Sequence, residues 1–319
     1  SLTRRSADLV GASGVPGRWA GEGAQPLRDA GVEPANRALN LLFMATSPEG
    51  VAPVLDFEAE EGRILAATRK QPLALAVEES GCLEELKDLV ESHERDWVDV
   101  LHLTGHGDHG DEGPIFITET EFGQRLDATA QDIAKAVQFG FPPLVFLSGC
   151  RTGQSDKEGT VPSMAAQLLW HGAGAVLGWG QPVLDTDGMT AAAALYGALA
   201  AARSVPEALA LTYQAMLEAG ARDWHLLRLY VADAIPGALV TPKRTPGRKK
   251  APKPSVVSVF LDEDGVGREV AGRESFVGRR RELQSCLWAL APYSEYEELG
   301  VLTHGLGGNG KSTLALRLC

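Results

Sequence analysis

The sequence has 319 residues, of which 44% are hydrophobic and 23% are charged, and this length suits one large domain or two ordinary ones. Its net charge of −12 disfavours a general nucleic-acid binder, because binding phosphates needs a basic surface. There is no long uncharged apolar run, no secretory signal and no CxxC spacing among the four cysteines. We therefore expect a cytoplasmic protein with no disulfide framework, no membrane contact and no nucleic-acid partner.

Strand and helix patterns alternate along most of the chain, after residues 1–37, which are rich in Gly, Pro and Arg and predict a flexible lead-in. The predicted strands are 38–46, 73–80, 99–107, 114–119, 143–150, 174–180 and 224–233. The predicted helices are 56–68, 82–94, 127–138 with Asp127 as N-cap, 161–172, and two within 187–219. This alternation predicts an α/β fold with a mostly parallel central sheet and helices on both faces.

The last part of the chain differs in composition. Residues 241–255 begin with TPKRTPGRKKAPKP, which contains four prolines and six basic residues and predicts an extended linker. Contact of this basic segment with an acidic partner is the alternative. Residues 256–319 follow as a separate region, whose end predicts a strand at VLTH, a Gly-rich loop and a helix.

Two reactive side chains end neighbouring predicted strands, His106 and Cys150. Ligands and chemistry lie at the carboxyl ends of strands in such sheets. A thiol attacks a carbonyl as the thiolate, and His106 would be the base that it needs. Gly107 and Gly149 leave room for a substrate backbone, and the N–H groups of Gly107 and Cys150 are the expected oxyanion donors. The alternative is structural, with a buried cysteine as apolar filler and a hydrogen-bonded surface histidine.

A metal site formed by His102, His106 and His109 is a further alternative. The spacing disfavours it, because the sequence lacks HExxH and has no cysteine pair nearby. We expect His102 to pack in the core and no metal to take part in the chemistry.

Five segments resemble, in order, those of the CHAT peptidases, which are clan CD relatives of caspases, separases and gingipains. They are LHLTGHG (101–107), LVFLSGCRTG (144–153), GAGAVLGWGQPVLDTDG (172–188), SVPEALALTYQAML (204–217) and WHLLRLYVAD (224–233). The resemblance implies a caspase-like three-layer sandwich over residues 38–240. It also implies a cysteine endopeptidase with Cys150 as nucleophile, His106 as general base and Gly107 as oxyanion donor.

The same resemblance bears on specificity. Relatives that cut after Arg or Lys place acidic side chains in the loop that follows the fifth main strand, and Asp185 and Asp187 fall in the matching stretch. A carboxylate there would pair with a basic substrate side chain. N-capping of the helix that follows is the alternative for both aspartates.

The loop 305–312 fits the phosphate-binding pattern GxxxxGK[ST]. Its N–H groups would cradle phosphates, Lys311 would reach the β and γ phosphates, and Ser312 would hold Mg²⁺. With FVGRRREL (276–283), this loop resembles the opening of a STAND-type NTPase, the class of NACHT and NB-ARC switches, of which only a truncated beginning is present. The expected cofactor-binding residues are Gly305, Gly310, Lys311, Ser312 and Thr313.

The resemblances imply ATP and Mg²⁺ for a complete NTPase domain, no cofactor for the peptidase, and self-association through the NTPase region. We predict a regulated endopeptidase that cleaves a protein after a basic residue, in a bacterial signalling, defence or cell-death pathway under a nucleotide switch. Two alternatives stay open. The caspase-like domain is a catalytically silent interaction module feeding the switch, or the nucleotide-binding region is the functional centre and the N-terminal domain its sensor.

Overall fold

The computed structural model describes residues 28–29, 33–110, 113–137, 140–149, 163–253, 256–261, 267–272, 276–290, 300–308 and 310–318. Its strands are β1 (Arg28–Asp29), β2 (Asn40–Ala45), β3 (Ala74–Glu78), β4 (Val100–Gly110), β5 (Gly113–Glu119), β6 (Arg125–Ala128), β7 (Leu144–Gly149), β8 (Ala175–Trp179), β9 (Leu227–Val231), β10 (Ala234–Ile235), β11 (Val256–Leu261) and β12 (Gly267–Ala271). Its helices are α1 (Phe57–Thr68), α2 (Leu83–Glu91), α3 (Ala130–Ala136), α4 (Met164–Trp170), α5 (Asp185–Ala200), α6 (Val205–Glu218), α7 (Arg280–Leu290) and α8 (Lys311–Leu318). None of these helices has the length and apolar character that crossing a bilayer requires.

The central sheet has the strand order β3-β2-β4-β7-β8-β9. Neighbouring strands are parallel except β8 and β9, which are antiparallel. The predicted α/β fold with a mostly parallel sheet is confirmed. The end of β4 runs past the sheet and pairs with β5, which in turn pairs with β6.

Both faces of the sheet are buried, as the continuous apolar run of β2 predicts. Leu41 and Phe43 point into a cluster that includes side chains of α1, α5 and α6. Leu42 and Met44 point into a second cluster, which includes side chains of α2, α3 and α4. Helices on each side of one sheet make three layers, and the carboxyl ends of the parallel strands lie at one edge between them.

One helix begins later than predicted. Residues 125–128 form β6 opposite β5, and α3 starts at Ala130, so the prediction of Asp127 as N-cap is wrong. Asp127 instead accepts a hydrogen bond from Arg125 Nε at 2.7 Å. The N-cap is Thr129, which forms a capping box with Asp132. Pairing between strands overrides the capping preference of a single aspartate.

Residues 241–253, predicted as an extended linker, run along the segment that leads into β2. Lys249 donates its backbone N–H to Asn36 O at 3.0 Å, and Ala38 donates to Lys249 O at 2.9 Å. Asn36 Nδ2 also donates to Pro246 O at 3.0 Å. These bonds hold the segment against the body of the protein.

The C-terminal region contains strands β11 and β12 and helices α7 and α8. Strands β11 and β12 form an antiparallel hairpin, and α7 packs on the body of the protein and on α8. The strand predicted before the Gly-rich loop is wrong, because residues 300–305 have no regular structure. A strand needs a partner for its backbone groups, and none of the described strands pairs with this segment.

Candidate active site

The site lies at the carboxyl edge of the sheet, where β4 and β7 run side by side. Their parallel pairing continues up to Gly105 opposite Gly149. The residues that follow these two in the sequence are His106 and Cys150. Cys150 lies outside the described residues, so its pairing with His106 stays a prediction.

The imidazole of His106 is held by one backbone group. Nε2 of this half-buried side chain lies 2.9 Å from the carbonyl oxygen of Pro53, in the loop between β2 and α1. A carbonyl only accepts hydrogen bonds, so Nε2 carries the proton and donates. In a neutral ring the lone pair is then on Nδ1, and His106 has the tautomer that can accept a proton there. No sequence pattern indicates Pro53, which lies in an irregular loop.

Close packing surrounds β4 just before His106. A methyl carbon at Gly105 would lie 2.1 Å from Thr46 Oγ1, 3.1 Å from Phe116 Cζ and 3.3 Å from Thr46 O. Thr46 is buried, and its hydroxyl donates to Ile117 O at 2.7 Å. The backbone of β4 therefore approaches Thr46 at a distance that only glycine allows, one residue before His106.

Gly107 lies beside His106, opposite Phe116 in the ladder between β4 and β5. Its role as an oxyanion donor stays a prediction. Gly149, the other glycine expected to open the approach, is the last residue of β7.

The two aspartates of the predicted specificity site begin α5. The N-cap of this helix is Leu184, so neither Asp185 nor Asp187 is the N-cap, although both lie in its first turn. Asp185 Oδ2 accepts a hydrogen bond from Asp56 N–H at 3.3 Å. Asp56 ends the loop that carries Pro53, so Asp185 and His106 contact the same loop. The role of Asp185 and Asp187 in substrate binding stays a prediction.

A buried polar pair lies deeper, between the sheet and α1. His102 is fully buried and stacks on Phe146 with ring centroids 4.6 Å apart, which confirms its predicted core position. Its Nε2 is 3.5 Å from Glu60 Oε1. Burial lowers the pKa of His102 to about 3 and raises the pKa of Glu60 to about 8. Both groups are therefore neutral near pH 7. Glu60 was missed from the sequence because acidic residues are common on exposed helix faces.

The Gly-rich loop lies at the start of α8. Lys311 opens this helix, and its Nζ donates to Gly305 O at 3.0 Å and to Leu306 O at 2.9 Å. An ammonium group and the N–H groups of a first helical turn fit a phosphate group. Ser312 and Thr313 lie in that turn and Gly310 directly precedes it. Binding of ATP and Mg²⁺ by these residues stays a prediction.

Solved structures and a family model match this chain. The chain is similar to the crystal structure of caspase-1 from Spodoptera frugiperda, with 10% identity and a TM-score of 0.43, over 66% of this chain and 93% of that chain. None of the curated proteins matches it. A family model described as the CHAT domain matches residues 23–296, which extends beyond the predicted 38–240 and ends before the Gly-rich loop. Since this match covers most of the sequence, the chain belongs to the CHAT domain family.

Proposed function

We propose that this protein is a cysteine endopeptidase with Cys150 as nucleophile and His106 as general base. The observation that carries the proposal is the hydrogen bond from His106 Nε2 to Pro53 O, beside the strand whose sequence continues into Cys150. The bond fixes the ring and leaves the Nδ1 lone pair as the acceptor that a thiol proton needs.

The reaction has two halves. His106 takes the thiol proton, the sulfur bonds to the scissile carbonyl carbon, and backbone N–H groups stabilise the oxyanion. The C–N bond then breaks, and the leaving amine takes the proton from His106, which leaves a thioester on Cys150. Water attacks the thioester while His106 accepts a proton from it. The thiol then leaves with that proton, and the acid product is released.

Cys150→Ala and His106→Ala test this proposal. We expect each substitution to lower kcat/KM on a panel of reporter peptides by roughly 10³-fold or more, because the two residues act as one unit. The double variant should be no worse than either single variant. Turnover by Cys150→Ala equal to that of the unchanged protein would rule out the nucleophile. A wild-type chain that binds a protein partner without cleaving any peptide would instead support the silent interaction module.

The proposal includes cleavage after a basic residue. Asp185 is exposed and contacts the loop 47–56, between β2 and α1, at Asp56, and His106 contacts the same loop at Pro53. A guanidinium would pair with the Asp185 carboxylate, as charged groups do in bidentate recognition. The alternative is that Asp185 only bonds Asp56 N–H and plays no part in recognition.

Peptides with Arg or citrulline before the cleaved bond separate these two roles, because citrulline has the shape of Arg without its charge. We expect Asp185→Asn to lower kcat/KM for the Arg peptide by about 10- to 100-fold, which is the worth of one charged hydrogen bond. The citrulline peptide should change little. Asp187→Asn tests the second predicted carboxylate in the same way, and Asp88→Asn, at an exposed position of α2, is the control. Equal losses for both peptides would show that Asp185 supports the loop and does not select the substrate.

A further inference from the structure

Helix α7 docks on the body of the protein through a buried arginine. Arg280 is 2% exposed, and its guanidinium pairs with Glu119, which has no exposed surface. Its Nη2 also donates to Ser80 O at 3.1 Å. The next residue, Gly81, has φ +77°, and a methyl carbon there would lie 2.7 Å from Arg280 Nη2. Gly81 therefore leaves the room that this buried charge pair needs. Breaking the pair would be costly, because it would leave a charge buried and unpaired.

The same helix holds the start of the loop 47–56. Gln284 Nε2 donates to Ser47 O at 2.9 Å and to Glu119 Oε2 at 2.7 Å. Ser47 in turn donates its N–H to Glu119 Oε1 at 2.6 Å. One buried carboxylate therefore joins the first residue of the loop to both Gln284 and Arg280.

Helix α7 also holds the end of that loop. Arg281 Nη2 donates to Leu55 O at 3.1 Å and lies 3.7 Å from Asp56 Oδ1. The backbone N–H of Arg281 donates to Glu58 Oε1 at 3.1 Å, in the first turn of α1. Helix α7 thus contacts both ends of the loop whose middle supplies the Pro53 carbonyl to His106.

The loop has little packing of its own. Most of residues 49–56 are exposed, and such a segment loses conformational entropy when it is held in one shape. Contacts at both ends restrict that freedom. From this geometry we propose that α7 is a clamp that positions the Pro53 carbonyl against His106, with Gln284 and Arg281 as positioning residues of the peptidase site. The catalytic part of this inference rests on the proposed function, whereas the structural coupling does not.

Hydrogen exchange in the full chain tests the coupling without turnover, in a Cys150→Ala background. We expect Gln284→Ala with Arg281→Ala to speed exchange of the hydrogen-bonded loop amides of Glu49, Val51 and Asp56 by about tenfold or more. Exchange in β7 and β8 should not change. Ser285→Ala is the matched control, since this side chain is exposed and its hydroxyl donates to Arg281 O within the same helix. Gln284→Ala alone removes no charge and serves if the double variant does not fold. Loop exchange equal to that of Ser285→Ala would overturn the clamp.

The imidazole nitrogen NMR spectrum tests the positioning role. The Cys150→Ala protein should show His106 as the Nε2–H tautomer, and the double variant should show a mixture of tautomers. In the active protein, the double variant should have a kcat about 10- to 100-fold lower, with a smaller change in KM. A double variant with Arg281→Lys in place of Arg281→Ala should recover part of this loss. An unchanged tautomer, or a rise in kcat, would overturn the positioning role. If the wild-type chain cleaves no peptide, the proposed function fails, and exchange and tautomer still decide the clamp.

Discussion

Gly105→Ala is expected to destabilise the protein by about 3 kcal/mol or more, at the upper end of the cost of overpacking a core. The added carbon would lie 2.1 Å from Thr46 Oγ1, far inside contact distance. Thr46 cannot easily move, because its N–H donates to Thr104 O at 2.9 Å and its hydroxyl donates to Ile117 O at 2.7 Å. The strain must then shift β4, and His106 is the next residue along it. Peptidase activity should fall together with stability.

Thermal unfolding measures the first effect, and a fall of about 6 °C or more corresponds to this loss for a domain of this size. Gly188→Ala is the matched control, since among the described residues a methyl carbon there would meet Ser148 Oγ alone, at an ordinary 3.7 Å. This glycine is inside α5, where alanine is the better helix former by about 1 kcal/mol. The control should unfold at the same temperature or slightly higher.

A double-mutant cycle assigns the strain to the close pair. Thr46→Ala removes the oxygen that the new methyl group would meet, at the cost of the hydrogen bond to Ile117 O. In Gly105→Ala this second change should recover part of the lost stability, whereas in the unchanged protein it should be destabilising. Additive effects, or a Gly105→Ala protein that unfolds within 1 °C of the unchanged one, would show that β4 relaxes without strain.

The features that could be predicted from the sequence are those with a local pattern. The apolar run of β2 predicts burial on both faces, and Leu41 and Leu42 do enter opposite clusters. His106 directly follows the buried part of β4, so its place at the carboxyl edge needs only the order of the strands. The Thr129–Asp132 capping box also has a local pattern, but a helix start was expected two residues earlier.

The remaining features depend on contacts between distant parts of the chain. Pro53 meets His106 across 53 residues, and Gln284 meets Ser47 across 237. No periodicity marks such pairs, because each residue alone is typical of a loop or of an exposed helix face. The FVGRRREL segment resembles the start of another domain, and in the structure two of its arginines, Arg280 and Arg281, contact the body of the protein. The residue types of this segment indicate a region of interest, but the partners of its side chains are seen only in the packed structure.

The ionisation of Glu60 also depends on packing. Burial is the largest cause that raises the pKa of Glu60, from 4.5 to about 8, and the negative charges of Asp185 and Glu61 add to it, while a hydrogen bond from Thr104 opposes it. The unfolded chain ionises this group above about pH 4.5, but the folded protein keeps its proton until about pH 8. The stability that the protonated carboxyl contributes is therefore complete below pH 4.5 and is lost as the pH rises to 8.

Nearby buried groups have their own pH windows. Burial raises the pKa of Glu61 to about 7, so this carboxyl also weakens the fold as the pH rises. Burial lowers the pKa of His102 to about 3. Between about pH 6.5 and pH 3, His102 therefore binds a proton in the unfolded chain but not in the folded protein. The His102 contribution is therefore lost as the pH falls from 6.5 to 3. Since these groups titrate in both proteins, the difference between a Glu60 variant and the unchanged protein reports the ionisation of Glu60 together with its interaction with Glu61.

Glu60→Gln is thus expected to gain stability relative to the unchanged protein as the pH rises. Glutamine has nearly the shape of the protonated carboxyl and cannot ionise, so the gain between pH 4.5 and 8 is on the order of 4 kcal/mol. Denaturant unfolding at several pH values measures the free energy of unfolding of both proteins. The prediction concerns how their difference changes with pH, because the substitution also changes stability by an amount that does not depend on pH. Ser285→Ala, which removes no ionisable group, should give a flat difference. A flat difference for Glu60→Gln as well would mean that Glu60 ionises at the same pH in the folded and the unfolded chain, which would contradict a protonated Glu60 beneath the site near pH 7.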